Sequence, residues 1–455
     1  VQNLFGGGVA SLTTVSGGGL QSVSGGGTAT SAMVSSDGAQ TVLSGGVASQ
    51  TLVFNAGVQT VSSGGQAVST TVYSGGVASL QGGQASATLV NNGGLLSVGS
   101  GGVASTTLVS SGGQVAIGSG GLGLSGTLAL SGSQTVSDGG VASATTVLNG
   151  GQQTIASGGL ASASVVGGGG TETVLSGGAA SATTVSGFGY QNVSAGGATQ
   201  GTLLSGGGIQ NVYSGAAATS TAVGSVGVQY VWSGGVASAT AVNSGGLQVL
   251  TGGGLAQGTT LAAGAVQAVS SGGVASATTV AGSGTQNVSS GGVAVQTVLA
   301  GGAETVSVGG VASQTTISSG GRQYLYGGVA TSSTISSGGA QFVSTGGVAS
   351  QTTISSGARQ YLYGGVDTSG TIASGGAQFV SAGGVASATA IEGGTQNVFV
   401  SGLALSATVG SGGIQNLTPR AVASMTVVTD GGVQNVSNGA STQQETLLAG
   451  GVQNL

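Results

Sequence analysis

The chain has 455 residues, of which 101 are glycine, and no cysteine or histidine; its cations are Arg322, Arg359 and Arg420, set against eight acids for a net charge of −5. That balance leaves no basic surface to track a phosphate backbone, which argues against nucleic acid as a partner; zero cysteines exclude a disulfide scaffold. No apolar run reaches the length of a membrane-spanning helix, glycine has no every-third-residue period, and no basic-then-apolar start reads as a signal peptide.

Taken from the start, the chain repeats one unit with two halves, each opening on a Gly-Gly turn. The first half continues VASxTTV, as in Val141–Val147, and the second xQxV, as in Gly394–Val398. The first glycine of the VAS half recurs at Gly139, Gly158, Gly177, Gly196, Gly215, Gly234, Gly253, Gly272 and Gly291, then at Gly309, Gly327, Gly346, Gly364, Gly383 and Gly402, in steps of 19 or 18. A period near 20 residues marks a solenoid and overrides the three-domain prior that length suggests. In-register β-branched columns argue against a flexible Gly/Ser linker. Glycine every few residues disfavours helix, so strands of five to seven residues between Gly-Gly, Asn-Gly and Asp-Gly corners are expected.

Departures follow the same phase. Ser74–Gly83 reads as a shortened coil, and Leu96 and Val115 stand where other units carry glutamine. Gly118–Leu130 loses the VAS signature but keeps its phase. Glu172 and Glu304 occupy the glutamine column and are expected to disturb it. Thr418–Ala421 contains the chain's one proline, beside Arg420, and is a candidate bend or junction. The chain opens and closes on VQNL, mid-unit at both ends, which points to part of a longer rod or a subunit stacking end to end.

Which columns vary tells which way side chains face. Glutamine recurs at Gln191, Gln210, Gln229, Gln248, Gln267, Gln286, Gln323, Gln341, Gln360 and Gln378; an aliphatic residue always follows two places later, and the residue between varies freely. Period two therefore puts glutamine and the aliphatic residue inside. A lone inward amide is costly, but amides stacked coil on coil can donate and accept in a ladder at about 4.8 Å spacing. Extending the alternation to the other half turns Val47, Ser49, Thr51 and Val53 inward, with Ala48, Ala104, Ala142 and Ala237 outward. The predicted object is all-β: a right-handed parallel β-helix (a β-solenoid) of about 24 coils, 18–19 residues each, as a single array over residues 1–455, roughly 115 Å long at ~4.8 Å per coil.

Chemistry is sparse. The acids are scattered, and Asp367 and Glu392, about one coil apart, fall at different points of the unit, so a catalytic carboxylate pair is not expected. Without histidine or lysine no serine has a conventional base, and neither a GGxGxD calcium repeat nor a phosphate loop is present. No cofactor, metal or catalytic residue is assigned. One feature stands out on the outer side: Arg322-Gln323-Tyr324-Leu325-Tyr326 recurs as Arg359-Gln360-Tyr361-Leu362-Tyr363 two coils on, with Phe342 between and Phe379 after; Tyr230 and Trp232 form a smaller version. These rings either pack on one another across coils or form a contact patch for a sugar or a second rod. An ice-binding grid is excluded because its outward column reads Thr14, Met33, Leu52, Thr71, Leu89, Leu108.

The segments Ser318–Val329 and Ser336–Ser350, which carry SSGGxQxVSxGGVAS-type repeats, resemble the AIDA-type repeats in the passenger of self-associating autotransporter adhesins. The resemblance covers nearly the whole chain, with both halves in the same order. It implies a right-handed parallel β-helix, export through an outer-membrane barrel to the bacterial cell surface, and roles in aggregation, biofilm formation and adherence. It also implies a glycosyltransferase placing sugars on Ser or Thr, with the turn-adjacent Ser318, Ser336 and Ser355 as acceptors. The chain departs from the family in having no barrel or signal segment, so a trimmed passenger or another export route is expected. The function expected is a non-catalytic adhesin rod binding copies of itself. A filament or surface-layer subunit and a glycan-binding module stand as alternatives.

Overall fold

The computed structural model describes residues 1–99, 101–381 and 383–455. It is a parallel β-solenoid of about 24 coils. Two compact units divide the chain, Val1–Gln229 and Tyr230–Leu455. Within each, a coil contributes one short strand to each of three parallel sheets. Val266–Val269, Val274–Ser276 and Thr279–Ala281 form one such coil. Its residues lie over their equivalents in the next: Gln267 on Gln286, Ala275 on Ala294, Val280 on Leu299.

The corners explain the glycine content. Gly272 supplies a left-handed backbone (φ 83°), while a methyl group at Gly273 would sit 2.6 Å from the Leu250 carbonyl oxygen of the coil beneath. The first glycine of the pair is needed for its dihedral, the second for the close approach. Corners also bond coil to coil: Gly25, Gly26 and Gly45 donate N–H to the carbonyls of Ser44, Gly45 and Gly64 at 2.8–2.9 Å. The backbone is thereby satisfied along the flanks as well as within the sheets.

A second bend corrects the facing expected for the VAS half. The residue after the triplet is left-handed and in most coils is not glycine, as at Gln50 (φ 56°) and Ala277 (φ 54°); Gly201 and Gly258 take the place elsewhere. That residue breaks the period of two. Ala48, Ala104, Ala142 and Ala237 are therefore buried, while Val47 and Ser49 face outward; Thr51 and Val53 beyond the bend point in, and Gln50 and Leu52 point out. Alanine is uniform there because the core is narrow. Where Ile117 enlarges the opposite wall, its Cδ1 fills the place of a side chain at Gly123, which accounts for the lost signature in Gly118–Leu130.

The segment Ser74–Gly83 is also read differently by the fold. Its strand Val77–Gln81 lies in the first sheet, with Ala78 stacked between Gln59 and Leu96, and Gln84–Ser86 supplies the second sheet. The coil is complete; its VAS triplet lies on the glutamine side. Inward Val, Leu and Ile columns, such as Val269, Val288 and Val306, are fully buried, each contributing about 1.5–3 kcal/mol.

Candidate contact face

Inside the coils, the amides are joined end to end. Gln210 Nε2 donates to Gln191 Oε1 and Gln229 Nε2 to Gln210 Oε1, both at 2.7 Å. Gln267 and Gln286 donate likewise to Gln248 and Gln267, also at 2.7 Å. Gln341, Gln360 and Gln378 donate to Gln323, Gln341 and Gln360 at 2.6–2.7 Å. Many of the carbonyls also accept a hydroxyl from the third sheet, as from Thr278 to Gln267 at 3.3 Å and from Thr297 to Gln286 at 2.9 Å, whereas the hydroxyls of Thr352, Thr389 and Thr426 are buried without a partner. Thr51, turned inward by the sequence reading, belongs to this column and donates to Gln40 at 3.2 Å; what that reading did not anticipate is the bond to glutamine, at a spacing of 11 residues in most coils.

The two glutamates keep one side of this ladder and lose the other. Glu172 Oε1 accepts from Gln191 (2.6 Å) and Thr183 (3.1 Å), while its Oε2 has no partner. Glu304 does the same with Gln323 (2.7 Å) and Thr315 (3.1 Å) through Oε2, leaving Oε1 bare. Burial pushes both carboxyls above the usual range, against the lowering effect of those hydrogen bonds. In the neutral form the bare oxygen carries a proton where a glutamine carries its N–H.

Asp367 is a third inward acid, standing where other coils have alanine. Its Oδ2 accepts from Gln378 Nε2 at 2.9 Å, and Gly370 replaces the threonine whose side chain would collide with it. Desolvation pushes this carboxyl up to about 7. Glu392 faces outward from the third sheet, so Asp367 and Glu392 form no pair.

On the outer side of the first sheet three columns run side by side. The middle column stacks Tyr324, Phe342, Tyr361 and Phe379, with ring centroids 5.1, 5.1 and 4.9 Å apart and planes within 13° of parallel. Both alternatives raised from the sequence bear on it, and packing across coils is what the rings do. Their flat faces are spent on each other, which leaves edges and hydroxyls outward. Beside them, Tyr326 and Tyr363 stack on Tyr324 and Tyr361 at 6.0 and 5.9 Å and stay 51% and 46% exposed, two coils apart, with Ser344 between. Phe399, which the repeat pattern did not reveal, extends the stack from Phe379 at 6.4 Å. Tyr230 and Trp232 stack on each other at 5.5 Å.

The third column alternates Ala303, Arg322, Ala340, Arg359, Ala377. Between the two arginines, Gly338, Gly339 and Ala340 floor a recess of about 360 Å³ walled by Phe342 and Tyr361. A second, of about 290 Å³, lies on the other side of Arg322 against Ala303 and Tyr324. Ser318, Ser336 and Ser355 form one corner column and are half-buried; the neighbouring Ser319, Ser337 and Ser356 are the exposed hydroxyls. Among the described residues no group of three acids, histidines or cysteines is placed to hold a metal, and no helix is long and apolar enough to cross a membrane.

Residues 34–94 match the family model for AIDA, the adhesin of the bacterial autotransporter system, probable stalk. No curated protein matches the chain. Among solved structures, a hyper-glycosylated TibA fragment, its glycosylation catalysed by TibC, is 34% identical; the match covers 72% of this chain and 97% of that one, with a TM-score of 0.47. The coils within the matched segment carry the same inward glutamine and corner pattern that recurs in register through both units. The chain belongs to the AIDA-type stalks of bacterial autotransporter adhesins.

Proposed function

We propose that this chain acts as one non-catalytic array at the bacterial cell surface, associating side by side with copies of itself to support aggregation, biofilm formation or adherence. The observation that carries the reading is how little charge the outer faces carry. Of eight acids in the chain, Glu172, Glu304 and Asp367 point into the core, and the cations number three. Two such flanks can approach without stripping water from many charges, and their Asn, Ser and Thr side chains can bond across the contact. Analytical ultracentrifugation with electron microscopy of the purified chain tests this. Laterally paired particles are expected; continuous end-to-end fibres would favour a filament subunit instead, and monomers at all concentrations would remove self-association.

A second reading concerns modification. The similar TibA fragment is hyper-glycosylated, and this chain stacks exposed hydroxyls at Ser319, Ser337 and Ser356 beside the half-buried Ser318, Ser336 and Ser355. We infer that a glycosyltransferase acts on these corner columns. Intact mass of the chain from its native host, followed by peptide mapping, checks it: an unmodified mass removes the reading.

A further inference from the structure

We propose that the recess between Arg322 and Arg359 is a binding site for an anionic carbohydrate, a carboxylate- or sulfate-bearing pyranose whose acid group lies between the two guanidinium groups. Two of the three cations of a nearly uncharged chain share one column, two coils or ~9.6 Å apart at the strand spacing. Among the described residues neither guanidinium has an ion-pair partner. The acids nearest in sequence, Glu304 and Asp367, are turned into the core and leave this face uncompensated. A guanidinium offers a planar fork of donors that matches carboxylate and sulfate oxygens, and two of them aimed at one gap select an anion.

The shape selects a sugar. Alanine at 340 and the Gly338-Gly339 corner leave a concave floor, and about 360 Å³ lies at the small end of the range for ligand pockets. A flat sheet face of a second stalk would not enter it. The walls are the edges of Phe342 and Tyr361, whose faces are closed by stacking, so the ring hydrogens and hydroxyls of a pyranose meet apolar edges while its charge meets arginine. The neighbouring recess at Ala303 shares Arg322 as a wall. Successive recesses thus lie in line along the column, which suits an oligosaccharide running coil to coil. This site does not depend on self-association.

The test uses the full chain and isothermal titration calorimetry with three probes: a hexamer of galacturonic acid, its neutral methyl ester, and a heparin hexasaccharide. Binding of at least one acidic probe is expected, with the ester weaker by about tenfold or more. Arg322→Gln/Arg359→Gln is expected to lose about tenfold or more, and Ala340→Leu, which fills the recess but keeps both charges, to lose a similar factor. Far-UV circular dichroism checks that the variants fold, and their self-association is followed separately by ultracentrifugation. Whichever acidic probe binds more tightly identifies the preferred acid group. Binding of neither, or affinities unmoved in both variants, overturns the proposal. So does a loss of self-association in the arginine variant with no probe bound, which would assign the face to stalk–stalk contact.

Discussion

Two stretches of the same inward column solve one problem differently. From Gln248 to Gln286 the column is amide on amide, each carbonyl also accepting a threonine hydroxyl. From Ala78 through Leu96 to Val115 it is aliphatic, and the price appears one sheet away: the hydroxyls of Thr88 and Thr107 are buried without a partner. In the Val115 coil the threonine position is Gly126 and no hydroxyl is stranded. The core thus accepts either chemistry in a column and tolerates a stranded hydroxyl beside it, as it also does next to glutamines at Thr352, Thr389 and Thr426.

The largest break in this comparison comes from carrying one solution into the other stretch. Gln267→Leu strips Gln286 Nε2 and Thr278 Oγ1 of their acceptor and removes a donor from Gln248, an expected loss of roughly 3–5 kcal/mol. In a repeat array the loss is local, so hydrogen exchange should rise in the coils around Gln267 and not in distant ones. Protection equal to that of the unaltered chain would show that the amide ladder contributes little.

Next in size is the acid that stands in the alanine column. The fold holds Asp367 protonated up to about 7, whereas the unfolded chain releases that proton near 3.8. Stability therefore falls as pH rises through that window and is level above it, by roughly 4 kcal/mol in all. Glu172 and Glu304, also raised, slope the same way above 4.5. In Asp367→Asn the part of the slope between pH 4 and 7 belonging to this residue should vanish, as read from protease resistance of the surrounding coils across that range.

Smaller effects sharpen the contrast. Thr107→Val removes a stranded hydroxyl and is expected to be neutral or stabilising by about 1 kcal/mol, while Thr278→Val breaks a bond and costs about 1 kcal/mol. The two denaturation midpoints should move in opposite directions. Smallest per contact, Tyr361→Ser ends ring contacts with Phe342, Tyr363 and Phe379, at about 0.5–1 kcal/mol each, measurable as loss of the near-UV aromatic signal with little change in strand content.

The period, the parallel stacking and the column that Gln267 belongs to were legible because identical residues recur at one spacing and strand geometry allows few ways to superpose them. The facing of Ala48 was not. A single left-handed residue at Gln50 resets the alternation, and nothing in Gln, Ala or Ser at that position advertises a positive φ as glycine would. The VAS triplet at Val77 misled for another reason: sheet membership is set by distance from neighbouring coils, not by the local triplet. At the contact face, the separation of Arg322 and Arg359 could be counted from the chain. That the rings between them would close their own faces, and that glycine corners would open recesses beside them, required the coordinates.

The corner hydrogen bonds from Gly25, Gly26 and Gly45 to the coil above carry a consequence for life in a crowd. A flank whose peptide groups are already engaged offers no template onto which a neighbour's strand can zip. Copies meeting flank to flank would therefore touch through side chains, with no backbone pairing along the flank to fuse them into amyloid-like ribbons.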